Sequence, residues 1–169
     1  MIVWINGPFG IGKTSVAREL ALLLPEALVL DPEQIGTFVR DLLPAELQEE
    51  DYQDIALWRE LTRHVADSVS TLYDRPLIVP MTLVVRDYFI EIVGALQRSG
   101  IDVRHFALLA SRESVLERHR GRSDYEAWGE QQLDRCLAAL REPAFAVHVD
   151  TEEKSPTEIA SEIAAGLAP

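Results

Sequence analysis

The sequence predicts an α/β fold: a parallel sheet with helices on both faces. Three observations carry that expectation. Short apolar runs alternate with helix-forming stretches from one end of the chain to the other, the pattern of parallel strands joined by crossover helices. The first run, Met1 to Ile5, leads straight into a glycine-rich turn and then a helix. The chain has 169 residues, 47 % of them hydrophobic, which suits one domain spanning 1–169 with a sizeable core.

The glycine turn reads Gly7-Pro8-Phe9-Gly10-Ile11-Gly12-Lys13-Thr14, that is G-x-x-x-x-G-K-T. A strand, a glycine turn and a helix N-terminus bring successive backbone N–H groups around an anion, so this is a phosphate-binding loop. Gly7, Phe9, Gly10, Ile11, Gly12, Lys13, Thr14 and Ser15 are the expected nucleotide-binding residues. Lys13 is placed to reach the β- and γ-phosphates, and the Thr14 hydroxyl to bind Mg²⁺. The cofactors expected are therefore ATP and Mg²⁺.

The remaining elements follow in order. Ala27 to Leu30 is a second apolar run, ending at Asp31. Pro32 to Leu43 is helical, and Pro44 begins a short helix. Tyr52 to Leu72 forms a longer helix with Trp58, Leu61, Thr62, Val65, Val69 and Leu72 on one face. Leu77 to Pro80 is the third strand. Asp87 is expected to cap a helix that buries Phe89, Ile92, Val93 and Leu96 and closes at Gly100. Val103 to Leu109 is the fourth strand. Ser111 starts a helix running to about His119, Gly121 to Trp128 is a polar break, and a further helix runs to Leu140. Phe145 to Val149 is the fifth strand. Ser155-Pro156-Thr157-Glu158 caps the last helix, which reaches Gly166. The expected strand order is 2-3-1-4-5. A mostly helical insert (about 32–76) lies between the second and third strands, and a short lid spans about 118–128. This is the layout of a P-loop kinase fold. Open parallel sheets bind ligands beyond the carboxyl ends of their strands, so function is expected just after Ile5, Leu30, Pro80, Leu109 and Val149.

Composition narrows the classes. The net charge of −12 argues against a nucleic-acid partner. No apolar run approaches the length of a membrane span, and the start reads as a first strand and not a signal peptide. The lone Cys136 cannot form an internal disulfide, which fits a cytoplasmic protein, and is expected to be a buried helix residue. His64, His105, His119 and His148 have no metal-ligand spacing and read as structural, so no zinc is expected. Asn6 is the only asparagine, which rules out the N-K-x-D motif of switch GTPases.

Asp31 is the candidate catalytic carboxylate. It follows the second strand, beside the loop strand, where it would take a proton from an acceptor hydroxyl or hold Mg²⁺ through water. The same residue before Pro32 is also a good helix N-cap, and the two roles are compatible. Arg112, Arg118, Arg120 and Arg122 crowd one stretch. Arg118 and Arg122, one turn apart, are the expected lid cations for the transferring phosphoryl, and Arg112 and Arg118 for the nucleotide. A solvated basic helix end is the alternative. Arg40, Arg59, Arg63 and Arg86, with Asp31, are expected to receive an anionic or sugar-nucleotide acceptor; ordinary surface arginines are the competing reading. Asp150-Thr151 is expected to shape the adenine loop.

Four stretches together resemble the tunicamycin resistance proteins, a family of bacterial ATP-binding proteins. They are I-N-G-x-F-G-x-G-K-T at the start, L-V-L-D-P-E-x-x-G around Asp31, I-V-P-M-T at 78–82 and Q-x-D-R-C at 132–136. The resemblance covers nearly the whole chain. It implies an ATP-dependent role in resistance to a nucleoside antibiotic, with a tunicamycin-like small molecule as the partner. More distantly, the layout resembles chloramphenicol phosphotransferase and the nucleoside monophosphate kinases, which implies phosphoryl-transfer roles for Asp31, Arg118 and Arg122. The short lid and the missing second-lobe motif make a nucleoside monophosphate a poor candidate acceptor. The expected activity is an ATP:small-molecule phosphotransferase; the alternative is an ATP-dependent protein that sequesters the drug unmodified. Both monomer and homodimer are compatible with the sequence.

Overall fold

The computed structural model describes residues 1–121, 123 and 125–167. Five parallel strands form one sheet in the order β2-β3-β1-β4-β5: β1 (Ile2–Asn6), β2 (Leu28–Val29), β3 (Leu77–Pro80), β4 (Val103–Leu109) and β5 (His148–Asp150). β1 is central, with Trp4 level with Val79 on one side and His105 on the other. All of β1 and β3 is buried. Strands covered on both faces read as unbroken apolar runs, as these do.

Successive strand residues face opposite sides, and this sorts the core into two layers. Val3 and Ile5 pack with Val16 and Leu20 of α1 (Lys13–Leu23) and with Ile159 and Ile163 of α9 (Pro156–Gly166). Ile2 and Trp4 pack with Trp58 of α3 (Ala56–Leu72) and with Ile92 and Leu96 of the segment after β3. That segment consists of α4 (Arg86–Phe89), a π turn (Ile90–Gly94) and α5 (Ala95–Arg98). Removing a fully buried aromatic such as Trp58 costs roughly 3–5 kcal/mol, and its indole N–H also donates to the Pro32 carbonyl at 2.9 Å. That bond ties α3 to the first turn of α2 (Pro32–Leu42). The remaining helices are α6 (Arg112–Arg120), α7 (Ala127–Gln131) and α8 (Leu133–Leu140).

Caps account for the sharpest boundaries. Ser155 accepts from the Glu158 N–H while Glu158 reaches back to the Ser155 N–H, with Pro156 at the first position of α9. Ser111 caps α6 and Asp31 caps α2.

Several expectations need correction. The stretch from Tyr52 is not one helix: Asp51 accepts from the Gln53 N–H and sets a 3₁₀ turn (Tyr52–Asp54) before α3 begins. Leu72 is 73 % exposed, and Ala66 is buried on that helix instead. Val85, not Asp87, is the cap residue of α4. Gln132 separates α7 from α8. Phe145 sits in a 3₁₀ turn (Pro143–Phe145), buried among Cys136, Leu140 and Val84, and β5 starts only at His148.

Candidate functional site

The loop after β1 is set by a side chain. Asn6 is fully buried. Its Oδ1 accepts from the N–H of Gly7 at 2.9 Å and of Leu83 at 2.9 Å, and its amide donates to the Leu83 carbonyl at 2.7 Å. The same amide lies 3.3 Å from His105 Nε2. With the amide donating, Nε2 accepts, so the proton of a neutral His105 is on Nδ1, which donates to the Ala146 carbonyl at 3.1 Å. Burial lowers the His105 pKa to about 4, which keeps the ring neutral. Thr82 adds a bond to the Gly7 carbonyl at 2.8 Å. Asn6 thus welds the end of β1 to the stretch after β3.

Two glycines are required by conformation. Gly10 has φ 82° and Gly12 φ 102°, in the left-handed region. A Cβ on Gly10 would collide with His119, whereas one on Gly12 would meet nothing within 4 Å. Gly12 thus borders open space at the start of α1, where an anion meets the N–H groups of a helix N-terminus. Lys13 Nζ donates to the carbonyls of Gly7 and Pro8, each at 3.0 Å, and lies 5.6 Å from the centre of the Phe9 ring. Thr14 and Ser15 are exposed on the first turn.

A cavity of about 1020 Å³ opens from this loop. Phe9, Gly10, Ile11, Gly12, Lys13, Thr14 and Ser15 line it, together with Asp31, Arg40 and Arg118. The expected nucleotide loop, the candidate carboxylate and one lid arginine therefore share one space, with room for a nucleotide and an acceptor. In the expected order 2-3-1-4-5, which the sheet has, β3 lies between β2 and β1, so Asp31 is one strand removed from the loop strand and not beside it; it still reaches the cavity wall. There its carboxylate accepts from the Glu33 N–H at 3.0 Å, the capping contact.

Arg118 is held by Thr151. Its guanidinium donates to the Thr151 hydroxyl at 3.2 Å and carbonyl at 2.9 Å, and the hydroxyl donates to Leu109 at 3.1 Å. Thr151 is buried and anchors Arg118, while Lys154, Pro156 and Ile159 supply the adjoining wall. His119 packs behind Gly10 and donates from Nε2 to the Glu126 carbonyl at 3.0 Å. Trp128 meets Phe9 edge to face at 5.1 Å. Arg122 lies outside the described residues.

Other expected residues stand elsewhere. Arg112 is exposed and paired with Asp134 at 2.7 Å, away from the cavity wall. Arg59 pairs with Glu91 at 2.8 Å, bonds the Gln53 carbonyl and stacks 4.0 Å over Tyr88. Arg63 pairs with Glu60 at 2.9 Å, and Arg86 is exposed at the start of α4. None of these three lines the cavity. Arg40 does, but it turns onto the carbonyls of Glu49 and Glu50 and stacks 4.0 Å over Tyr52. Cys136 is a buried helix residue, its thiol pushed up to about 11 by burial.

Sequence reasoning passed over Asn6 as a structural element, the bond from Thr151 to Arg118, and also Thr82, Trp128 and Asp51. Asp51 lines the cavity although only 7 % exposed, and burial holds its carboxyl above the usual range. Asp before a polar residue and a turn was the one available signal for it.

Among the described residues no group of side chains is arranged to hold a metal by itself, and no helix is long and apolar enough to cross a membrane. Thr14 beside the loop fits Mg²⁺ held jointly with nucleotide phosphates, the usual mode for that ion.

Comparison with known proteins adds the following. The model of a family described as AAA domain matches residues 2–143. The tunicamycin resistance protein of Deinococcus radiodurans is 32 % identical, with a TM-score of 0.82 over 98 % of this chain and 94 % of that one. A sugar kinase from a Janibacter species is 18 % identical, with a TM-score of 0.69 over 97 % and 92 %. The APS kinase of Mycobacterium tuberculosis, in complex with AMPPNP and APS, is 19 % identical, with a TM-score of 0.66 over 97 % and 95 %. The last two are likenesses of fold. No curated protein matches the chain.

Proposed function

The chain belongs to the AAA domain family and groups with the tunicamycin resistance proteins, and from that premise we propose that it is an ATP-dependent phosphotransferase acting on a small molecule, tunicamycin or a related nucleoside or UDP-sugar-like compound. The observation that carries this reading is the single cavity shared by the phosphate loop, Asp31 and Arg118. The loop N–H groups and Lys13 hold the nucleotide phosphates, and Thr14 holds Mg²⁺ with them. The metal supplies charge neutralisation when bound. Asp31 accepts the proton of the acceptor hydroxyl. The freed oxygen bonds to the γ-phosphorus as the bond to the ADP oxygen breaks. Arg118, with Arg122 as the proposed second lid cation, stabilises the charge on the transferring group. The lid over about 118–128 keeps water from taking the acceptor's place.

The test is mass spectrometry of tunicamycin after incubation with the protein, Mg²⁺ and ATP. A gain of one phosphate, absent with Lys13→Ala, is the expected result. Unchanged drug bound stoichiometrically would replace this reading with sequestration.

A further inference from the structure

We propose that His119 is a positioning residue: it fixes the phosphate loop against the end of α6, so that Arg118 stands in register with nucleotide held on the loop. Through the same joint, α7 responds when the loop takes up nucleotide. This rests on the phosphotransferase reading and names how the loop and the arginine of that site are kept in place. The observation behind it is a buried imidazole held between two glycines of different elements. His119 is 5 % exposed. Gly10, in the phosphate loop, lies against the His119 backbone: a Cβ added there would stand 2.8 Å from the His119 Cα. Gly129, in α7, closes on the ring from its far end: a Cβ there would stand 2.9 Å from Cε1 and 3.0 Å from Nε2. A packed interior does not absorb contacts that short, so loop, ring and α7 meet without slack. The same elements touch again alongside, where Phe9 of the loop meets Trp128 of α7 edge to face at 5.1 Å.

A second observation makes His119 more than filling. Its Nε2 donates to the Glu126 carbonyl at 3.0 Å, while its Nδ1 is buried with no hydrogen-bond partner among the described residues. An orphaned polar atom in the interior costs free energy, and a position that needed only volume would be better served by an apolar ring. The imidazole instead ties the stretch before α7 to the end of α6, at the cavity wall it lines. Its chain neighbour Arg118 is fastened from the other side, by the Thr151 hydroxyl at 3.2 Å and carbonyl at 2.9 Å. The end of α6 is therefore held on two sides, and a shift of the loop reaches the backbone that carries Arg118. Phosphoryl transfer leaves the protein little covalent chemistry, so placement of such a cation is where rate is won or lost.

The experiment titrates the full chain with AMPPNP and Mg²⁺ and follows Trp128 emission, taken as the difference between the parent and Trp128→Phe because Trp4 and Trp58 are fully buried elsewhere. A change that saturates with nucleotide is expected. In His119→Ala that change should be lost, AMPPNP affinity should fall only a few-fold, and kcat for phosphate transfer to tunicamycin should fall about 10–10²-fold with the acceptor KM kept. His119→Gln retains an N–H that can reach the Glu126 carbonyl and should recover most of both. A His119→Ala protein that melts lower yet keeps the parent kcat and Trp128 response overturns the proposal, as does a folded His119→Gln no better than His119→Ala. AMPPNP binding to the parent with no change at Trp128 overturns it as well, and this arm decides the question should both variants fail to fold. The emission arm needs neither acceptor nor transfer. If nucleotide moves Trp128 and no phosphate reaches the drug, the phosphotransferase reading falls while the register between loop and α6 stands.

Discussion

On the loop wall of the cavity, fully buried Asn6 fastens Gly7 and Leu83 through bonds of 2.7–2.9 Å, and His105 stands behind it. On the insert side, Arg40, which lines the cavity, lies over Tyr52, and Arg59, which does not, lies over Tyr88, each at 4.0 Å, with guanidinium groups bonded to carbonyls of neighbouring turns. One wall is fixed by short polar bonds inside the core. The other is fixed by long side chains stacked on aromatic rings and bonded to the turns around 49–53. A phosphate site gains from preorganised donors, because the transferring group presents the same charge each time. An acceptor site gains from a wall that opens locally at low cost.

The largest expected effect falls where the walls meet, at Asp31. Asp31→Asn can still cap α2 but cannot take a proton, so phosphotransfer should fall about 10²–10⁴-fold with nucleotide affinity kept within a few-fold. Turnover measured against Mg²⁺ and ATP concentration checks this. Near-parent turnover leaves Asp31 as a cap, and recovery with excess metal makes it a metal-positioning group.

Next is Asn6. Asn6→Ala strands the buried N–H groups of Gly7 and Leu83 and the Leu83 carbonyl, and should cost roughly 3–5 kcal/mol in a denaturant titration. A loss under 1 kcal/mol would erase the contrast between the walls. His105 sharpens it through pH. The folded ring titrates at about 4 and the unfolded one near 6.5, so the unfolded chain takes up the proton first. Stability is therefore lost as pH falls from 6.5 toward 4, by an amount on the order of 3 kcal/mol at the lower limit. In His105→Phe the slope between pH 6.5 and 5 should flatten.

Gly10→Ala should cost about 2 kcal/mol and weaken nucleotide binding, since it combines a left-handed φ with a collision against His119. The smallest expected effect is in the insert. Arg59→Leu loses the pairing with Glu91, whose side chain is 37 % exposed, and should cost about 1–2 kcal/mol while raising hydrogen exchange over 45–55 more than in the loop. A uniform rise across both regions would show that the walls open together.

Legibility follows the same division. The G-K-T loop, strands three and four, and the last helix were readable because the information is local: glycines at fixed spacing, buried runs without alternation, Ser and Glu three residues apart. The order 2-3-1-4-5 came through because the loop strand, the insert and the alternation leave few topologies. Asn6 reads as an ordinary turn residue until the chain brings Leu83 beside it, and Thr151 likewise needs Arg118. Asp51 hides the break before α3 because its Asx turn competes with a good helix pattern. Phe145 looks like strand, yet a 3₁₀ turn buries it as well, since an apolar run does not distinguish the two. The arginines misled for a related reason. Charge and spacing mark a candidate, but partners such as Glu91 and Asp134 decide where the guanidinium points.

The sheet also tapers. β4 has seven residues and β1 five, whereas the two edges, β2 and β5, have two and three. An edge strand is a template on which another chain can add by backbone pairing, and its hazard grows with length and flatness. Here each rim offers only a few unpaired backbone groups, so the apolar centre of the sheet is sealed at both sides against strand addition. Concentrated protein should accordingly resist fibre-like self-assembly until the sheet itself comes apart, and the acid-sensitive weld at Asn6 and His105 makes low pH the condition under which that should first occur.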